Sequence, residues 1–425
     1  MVIRWQMVFL TLLWILSVAA GAPAGPPPPA ATARSPIPKV LQEGVGVGEF
    51  YSVAVTPDGR YIAAGVRRSA PVGVKEEKAV DIFDARTGKP IGFYVLPRPY
   101  EGIPKALAFS GDGALLVIGG QDGKVFLWDT GKGAHLRTLT LPAPVESVAL
   151  SKDGQWLAVG ARDGGLRLWQ RGKGGWSQPV LRLTRIILKG DDLRPVERLP
   201  EPQRLMKFLD PLIFRKPPFV RSVVFDPKGT WLAVTGTGDL NADTVKEGIA
   251  ILRLPDGRVQ GVLSGHGKGV ALKVAGRPPV PWVNALAVSR DGRWLASAGW
   301  DATVRVWDMT KRAEVRRLLS PRTPLGAFAT RVYNAVAISP DSRLVAAGGF
   351  GGRVDVWNLS TGTLVRSLET GNIVEAVAFT PDGVLLIAGG WDGRLTAWRV
   401  GSWQRSWSRS ATGRTSERTN PPPLL

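Results

Sequence analysis

Cysteine is absent from the 425 residues of the chain. Disulfides, thiolate zinc sites and a lipidated cysteine after a leader are excluded with it. Histidine is almost absent, with only His135 and His266, too few for a metal centre built on several imidazoles. Acidic residues are in deficit: 35 Asp and Glu stand against 55 Lys and Arg, a net charge of +20. Such an excess attracts polyanions or an anionic membrane surface, although a codon bias toward Arg, Gly, Ala and Pro yields the same excess with no partner. The basic residues are spread along the chain rather than gathered in one run, so no specific nucleic-acid site is indicated. Low-complexity sequence is also lacking, because the 51 Gly and 34 Pro are scattered at turns.

Long apolar runs are limited to one. Arg4 precedes Met7–Ala20 (MVFLTLLWILSVAA), which has the length of a signal-peptide apolar region and is short for a bilayer span. Ala22-Pro23-Ala24 fits a small-x-small cleavage pattern, and Val18-Ala19-Ala20 offers a second. Residues 1–24 are therefore expected to be a signal peptide, with the body extracytoplasmic, either periplasmic or secreted. An uncleaved N-terminal membrane anchor is the alternative. Residues 25–38 read as a stiff Pro/Ala-rich linker. Residues 409–425, rich in Ser, Thr and Arg, read as a disordered basic tail.

Between these ends the chain repeats itself. Tyr51–Gly65, Ala106–Gly120, Val145–Gly160, Val220–Gly236, Val283–Gly299, Tyr333–Gly348 and Val374–Gly389 share one plan: alternating apolar and small residues, a turn built on Pro, Asp and Gly, an apolar run, then Gly. The turn residues Gly59, Gly113, Gly154, Gly229, Gly292, Ser342 and Gly383 are spaced by 54, 41, 75, 63, 50 and 41. A shortest period near 41, lengthened by insertions, marks a repeat architecture. Within Asn284–Asp308, strands are expected at Ala285–Val288, Trp294–Ala298 and Val304–Trp307, with a fourth near Glu314–Leu319.

These residues resemble WD-repeat (WD40) β-propeller blades of the exported bacterial type. Trp128-Asp129 and Trp307-Asp308 match the signature dipeptide, and Gly265-His266 matches the Gly-His pair. Trp357-Asn358, Trp169-Gln170 and Trp398-Arg399 keep only the Trp, while Phe83-Asp84 and Leu252-Arg253 occupy the same place in repeats one and four. The resemblance implies an all-β fold, a seven-bladed propeller of four-stranded antiparallel blades over residues 39–408, arranged around a channel. It also implies a buried structural tetrad of Trp307, Ser297, His266 and Asp301. No Gly-x-Ser-x-Gly turn accompanies Ser297, so a hydrolase is not expected. Ring closure has two candidates: Val40-Leu41-Gln42 pairing with the strand that ends at Trp398, which is the expectation, or Trp403–Trp407 supplied from the C-terminus.

In such a blade the turns from strand two to three, and from strand four to the next blade, lie on one rim. The insertions Val66–Lys78, Leu188–Pro218, Thr237–Glu247, Ser264–Pro281 and Ser320–Thr330 all fall there, and long loops in a compact fold tend to carry function. Within the largest, residues 188–218, Glu201–Leu212 fits a short helix after Pro202, packed on the propeller or extended as a partner-binding or membrane-touching arm. The same rim carries Gln121, Arg162, Trp300, Phe350 and Trp391 just before the strand-three turn, a position that often touches partners in the family. Strand-one positions at the channel mouth are Ser52, Lys105, Glu146, Arg221, Asn284, Asn334 and Glu375. Their mixed sign suits a protein loop. The expectation is an exported, monomeric, non-enzymatic scaffold without metal or cofactor, binding protein partners through Trp300, Phe350, Trp391, Arg162, Gln121, Lys105, Arg221 and Glu375. Polyanion or anionic-membrane binding through the basic surface is the alternative, and a propeller enzyme the weaker one.

Overall fold

The computed structural model describes residues 47–69, 79–97, 102–172, 175–176, 179–183, 220–236, 248–266, 282–319 and 332–411. The leader, the linker, Val40–Gln42, most of the five insertions and the tail beyond residue 411 lie outside the described residues. The rest is all β. Twenty-eight strands form seven antiparallel sheets of four, each built from four consecutive strands.

The hairpin between the first two strands of each blade follows from local chemistry. Thr56, Ser110, Ser151, Ser289, Ser339 and Thr380 donate their hydroxyls to Asp58, Asp112, Asp153, Asp291, Asp341 and Asp382 at 2.5 to 2.6 Å. Each of these carboxylates lies two residues after the hydroxyl, as side-chain-capped turns require. The Ser110 hydroxyl holds Asp112 below the ordinary carboxylate range. In blade four Asp226 stands in place of the hydroxyl and accepts from the Thr230 and Trp231 amides at 2.5 and 2.7 Å. The turn closes on a left-handed residue. It is Gly in six blades, but Ser342, at φ 59°, fills the place in blade six.

Burial is organised by interfaces between blades. Seven apolar clusters are present, one for each pair of neighbours, including blades seven and one. Trp307 and Trp357 are the largest side chains that are almost completely buried, and each such burial stabilises by roughly 1.5–3 kcal/mol. The ring is thus complete on packing grounds.

Its closure differs from the expectation. The fourth strand of blade seven is Arg405–Ser410, which pairs with Arg394–Arg399 from Arg394↔Ser410 to Trp398↔Arg405. No place on that edge remains for Val40–Gln42. The reason is locality. Trp403 donates its amide to the Arg399 carbonyl at 2.8 Å, and Arg399 to Gln404 at 2.9 Å, so a tight turn returns the chain at once and a short loop closes at low entropic cost. The strand also extends two residues past the tail boundary drawn at 409. Blades seven and one meet through side chains instead. Trp407 packs with Phe50, Val66, Phe83 and Ala85, and its indole N–H donates to the Ala85 carbonyl at 3.1 Å.

Candidate binding rim and channel mouth

Every first strand carries a β-bulge at its channel end. The ladder skips Lys105, Glu146, Arg221, Asn284, Asn334 and Glu375 in blades two to seven. A bulge leaves one residue outside the pairing and re-aims its side chain. In blade one the skipped residue is Tyr51, between Phe50 and Ser52. Ser52, assigned to this ring from the sequence, is paired one step further on and donates its hydroxyl to the Pro104 carbonyl at 3.0 Å. The ring member is Tyr51. Its hydroxyl donates to Glu49 at 2.5 Å, and burial with this bond pushes the phenol up to about 12.

The bulged side chains are linked to one another. Asn284 donates to the Tyr333 carbonyl at 3.0 Å and reaches Asn334 Oδ1 at 3.4 Å, and Asn334 donates to Glu375 at 3.3 Å. On the other side Lys105 Nζ lies 3.2 Å from Glu146, which also pairs with Arg162. Burial alone would raise the Glu146 carboxyl, but Lys105 and Arg162 outweigh it and hold the group below its ordinary value. Glu375 goes the other way. Burial pushes it up, and Lys105, a hydrogen bond from Trp391 and Arg221 offset this only in part. Arg221 lies over the Trp282 ring at 5.9 Å.

The turn residues of the same rim are placed by one repeated bond. The amides of Gln121, Arg162, Trp300, Phe350 and Trp391 donate to the carbonyls of Ile103, Pro144, Trp282, Val332 and Ile373 at 2.8 to 3.0 Å. All five therefore occupy equivalent positions. The aromatic members form a ladder across three blades: Trp300 to Phe350 is 6.2 Å between ring centres and Phe350 to Trp391 is 6.4 Å. Trp282, which the repeat pattern did not single out because it precedes the first strand of blade five, extends the ladder to Trp300 at 4.9 Å. The patch is less open than the sequence suggests. Trp391 is 41% exposed, whereas Trp300, beside Trp282 and Phe350, and Phe350, beside Trp300 and Trp391, are half-buried.

Blade five contains a continuous buried hydrogen-bond chain. His266 Nδ1 lies 3.0 Å from Asp301, His266 Nε2 lies 2.7 Å from Ser297 Oγ, and Trp307 Nε1 donates to the same oxygen at 2.9 Å. Ser297 and Asp301 are fully buried, so this hydroxyl has no access to a substrate. Sequence reasoning missed Arg305, which is fully buried with Nη2 3.6 Å from Asp301 and Nη1 2.5 Å from Glu314. By register, Ile118, Val159, Ala347 and Ala388 stand where Ser297 does. In blades two and three the indole N–H groups of Trp128 and Trp169 accordingly have no hydrogen-bond partner. Among the described residues, no group of three or more His, Asp or Glu is placed to hold a metal ion.

Five segments, residues 97–129, 133–170, 257–308, 323–358 and 362–399, match the family described as WD domain, G-beta repeat. Each match ends at the dipeptide closing a third strand, and three of them begin at the fourth strand of the preceding blade, so a sequence repeat straddles two blades. Blades one and four, which have Phe83-Asp84 and Leu252-Arg253 in place of the Trp, supply no complete match. No curated protein matches the chain.

Proposed function

We propose that this chain, which is a WD-repeat β-propeller protein, is an exported scaffold that docks a protein partner on the rim carrying Trp300, Phe350 and Trp391. Propellers of this family generally mediate protein interactions. The observation that carries the reading is the aromatic ladder, three blades wide, on one rim. Aromatic residues dominate binding hot spots. The strands that flank all five insertions support the same face: the insertions join either strands two and three or strand four and the next blade. Glu375, hydrogen-bonded by Trp391, and Arg221, over the Trp282 ring, border the ladder, and Lys105, Arg162 and Gln121 continue the same rim in blades two and three. Export rests on Arg4 and the apolar Met7–Ala20.

The test is the Trp300→Ala/Trp391→Ala double variant, compared with wild type in a pull-down from the envelope fraction, followed by titration of whatever protein is recovered. Loss of a hot spot weakens binding by roughly 2 kcal/mol or more, about thirtyfold. Unchanged affinity, or a collapse of the fold, defeats the docking reading. Repeating the titration at rising salt separates it from polyanion binding, which weakens steeply with salt. Export is checked by sequencing the mature N-terminus, expected at Gly25 or Gly21; a cytoplasmic protein that still starts at Met1 overturns it.

A further inference from the structure

The rim is chemically divided. Blades five, six and seven present Trp300, Phe350 and Trp391, while blades two, three and four present Lys105, Arg162 and Arg221. The aromatics all stand at the turn residue, as Arg162 does in blade three, whereas Lys105 and Arg221 are the bulged residues of blades two and four, where blades five to seven have Asn284, Asn334 and Glu375. The division therefore lies in the side chains and not in the backbone. We infer that this mouth takes a partner segment in which a carboxylate neighbours an aromatic or large apolar side chain, the carboxylate entering the cationic arc above Glu146 and the apolar group lying on the ladder. The inference rests on the docking reading above and adds the partner's chemistry.

Three observations select a carboxylate over an ammonium or guanidinium group. First, the cations outnumber the carboxylate around Glu146: Lys105 and Arg162 pair with it, and Arg221 acts on it through space. Second, they are layered. The Glu146 side chain is 3% exposed, whereas those of Lys105 and Arg162 are 24% and 35% exposed. A ligand arriving from solvent meets the positive charges, and the counter-charge lies beneath them. Arg162 can fork onto an incoming carboxylate, a geometry an ammonium ligand cannot use. Third, the aromatic half is poorly furnished for a cation. The Trp282 ring already carries the Arg221 guanidinium. At the Trp391 end, Glu375 is buried and already accepts from Asn334 and Trp391, so its oxygens are committed within the rim. An apolar ring lying on Trp391 and Phe350 needs no such acceptor.

A random dodecamer peptide library displayed against the full chain tests this. Wild type is expected to enrich peptides with Asp or Glu within a few positions of Trp, Phe, Tyr or Leu. In a synthetic, end-capped peptide taken from that set, replacing its acidic residues by Gln should weaken binding about tenfold, as removal of a close complementary charge does. Arg162→Ala should weaken the acidic peptide by a similar factor and leave its Gln counterpart unchanged. Glu146→Gln keeps the shape of the mouth and removes the internal counter-charge, so it should tighten the acidic peptide severalfold. A merely structural role for Glu146 would weaken both peptides alike. Enrichment that depends on Trp300 and Trp391 but shows no acidic bias, or favours Lys and Arg, overturns the carboxylate inference and leaves the docking reading standing. Equal enrichment by wild type and the Trp300→Ala/Trp391→Ala variant overturns both.

Discussion

Replacing Asp301 by Ala removes the centre of the buried polar chain in blade five. Its carboxylate accepts from the Thr303 amide at 3.1 Å and the Thr303 hydroxyl at 2.8 Å, faces His266 Nδ1 at 3.0 Å, and lies 3.6 Å from the Arg305 guanidinium. Breaking a buried ion pair by removing one partner costs about 3–5 kcal/mol. Arg305 keeps Glu314, which favours the lower end. Hydrogen bonds to a charged group contribute about 1.5–3 kcal/mol each, but groups sharing one partner do not add. The expected loss is about 4 kcal/mol. Ser297→Ala is the internal comparison. It strands His266 Nε2 and the Trp307 N–H, yet Ala347 and Ala388 occupy that place in blades six and seven, so a smaller loss of about 1–3 kcal/mol is expected. The assay is denaturant unfolding of both variants at constant slope. A third variant makes the reasoning sharper. Asp301→Ala combined with Arg305→Leu removes both charges, and apolar replacement of a buried pair is often neutral or stabilising. It should recover about 2 kcal/mol over Asp301→Ala alone. A loss under about 1 kcal/mol for the single variant, or no recovery in the double, refutes the argument.

Other expectations follow from the same structure. Trp407→Ala should destabilise by roughly 3–5 kcal/mol, the usual cost of deleting a buried large aromatic, and should raise hydrogen exchange first in blades seven and one; uniform exchange across the ring would contradict it. Glu375 has its carboxyl raised by burial, so the folded state holds its proton more tightly than the unfolded state. This contribution is present at low pH and is lost as pH rises from the ordinary value of 4.5 through the raised folded value. Glu375→Gln should therefore raise the melting temperature at pH 7 and change it little at pH 4, as read by melts across that range; a variant less stable at pH 7 would contradict the sign. Ser342→Gly relieves a left-handed residue at φ 59°. The strain relieved, about 1–2 kcal/mol, exceeds the unfolded-state entropy gained, about 0.4–1 kcal/mol. A modest rise in melting temperature is expected, and a fall would show that the Ser342 side chain contributes something the turn geometry does not reveal.

The blade was legible where the chemistry is local. The turn Ser289–Arg293, with its Asp and Gly, marks one hairpin, and the third strand expected at Val304–Trp307 is observed at Val304–Asp308. The fourth, expected near Glu314–Leu319, runs from Ala313 to Leu318. Legibility failed where the decision is made by pairing or by tertiary neighbours. In Phe50-Tyr51-Ser52 the ring position could be placed on either of two adjacent residues, and only the ladder to Gly65 and Val66 shows which one is skipped. Closure was ambiguous because two segments each suited the same vacant edge; the tight turn at Trp403 decides it. Arg305 alternates correctly for a buried face of Val304–Asp308, but hydropathy gives no reason to bury a guanidinium. Its partners, Asp301 and Glu314, come from either side of the strand. Trp282 lay outside the repeat pattern, and its role in the ladder depends on the blade after it.

Among the described residues no strand passes between blades seven and one, so the ring is mechanically a ribbon bent until its two ends touch. Gly48 and Ala411 mark those ends, and a Cβ built on Gly48 would come within 2.8 Å of the Ala411 Cβ. Tension applied between them has no backbone ladder to shear. It opens the seam at Trp407 like a clasp and then strips whole blades in turn, so a pulling experiment should show a low first rupture followed by steps of about one blade each. The same adjacency makes the starting point of the polypeptide arbitrary. A short linker joining the two ends, with a cut at any other boundary between blades, leaves all seven sheets intact and moves the clasp to a place of choice, which separates the work of the seam from that of the docking rim.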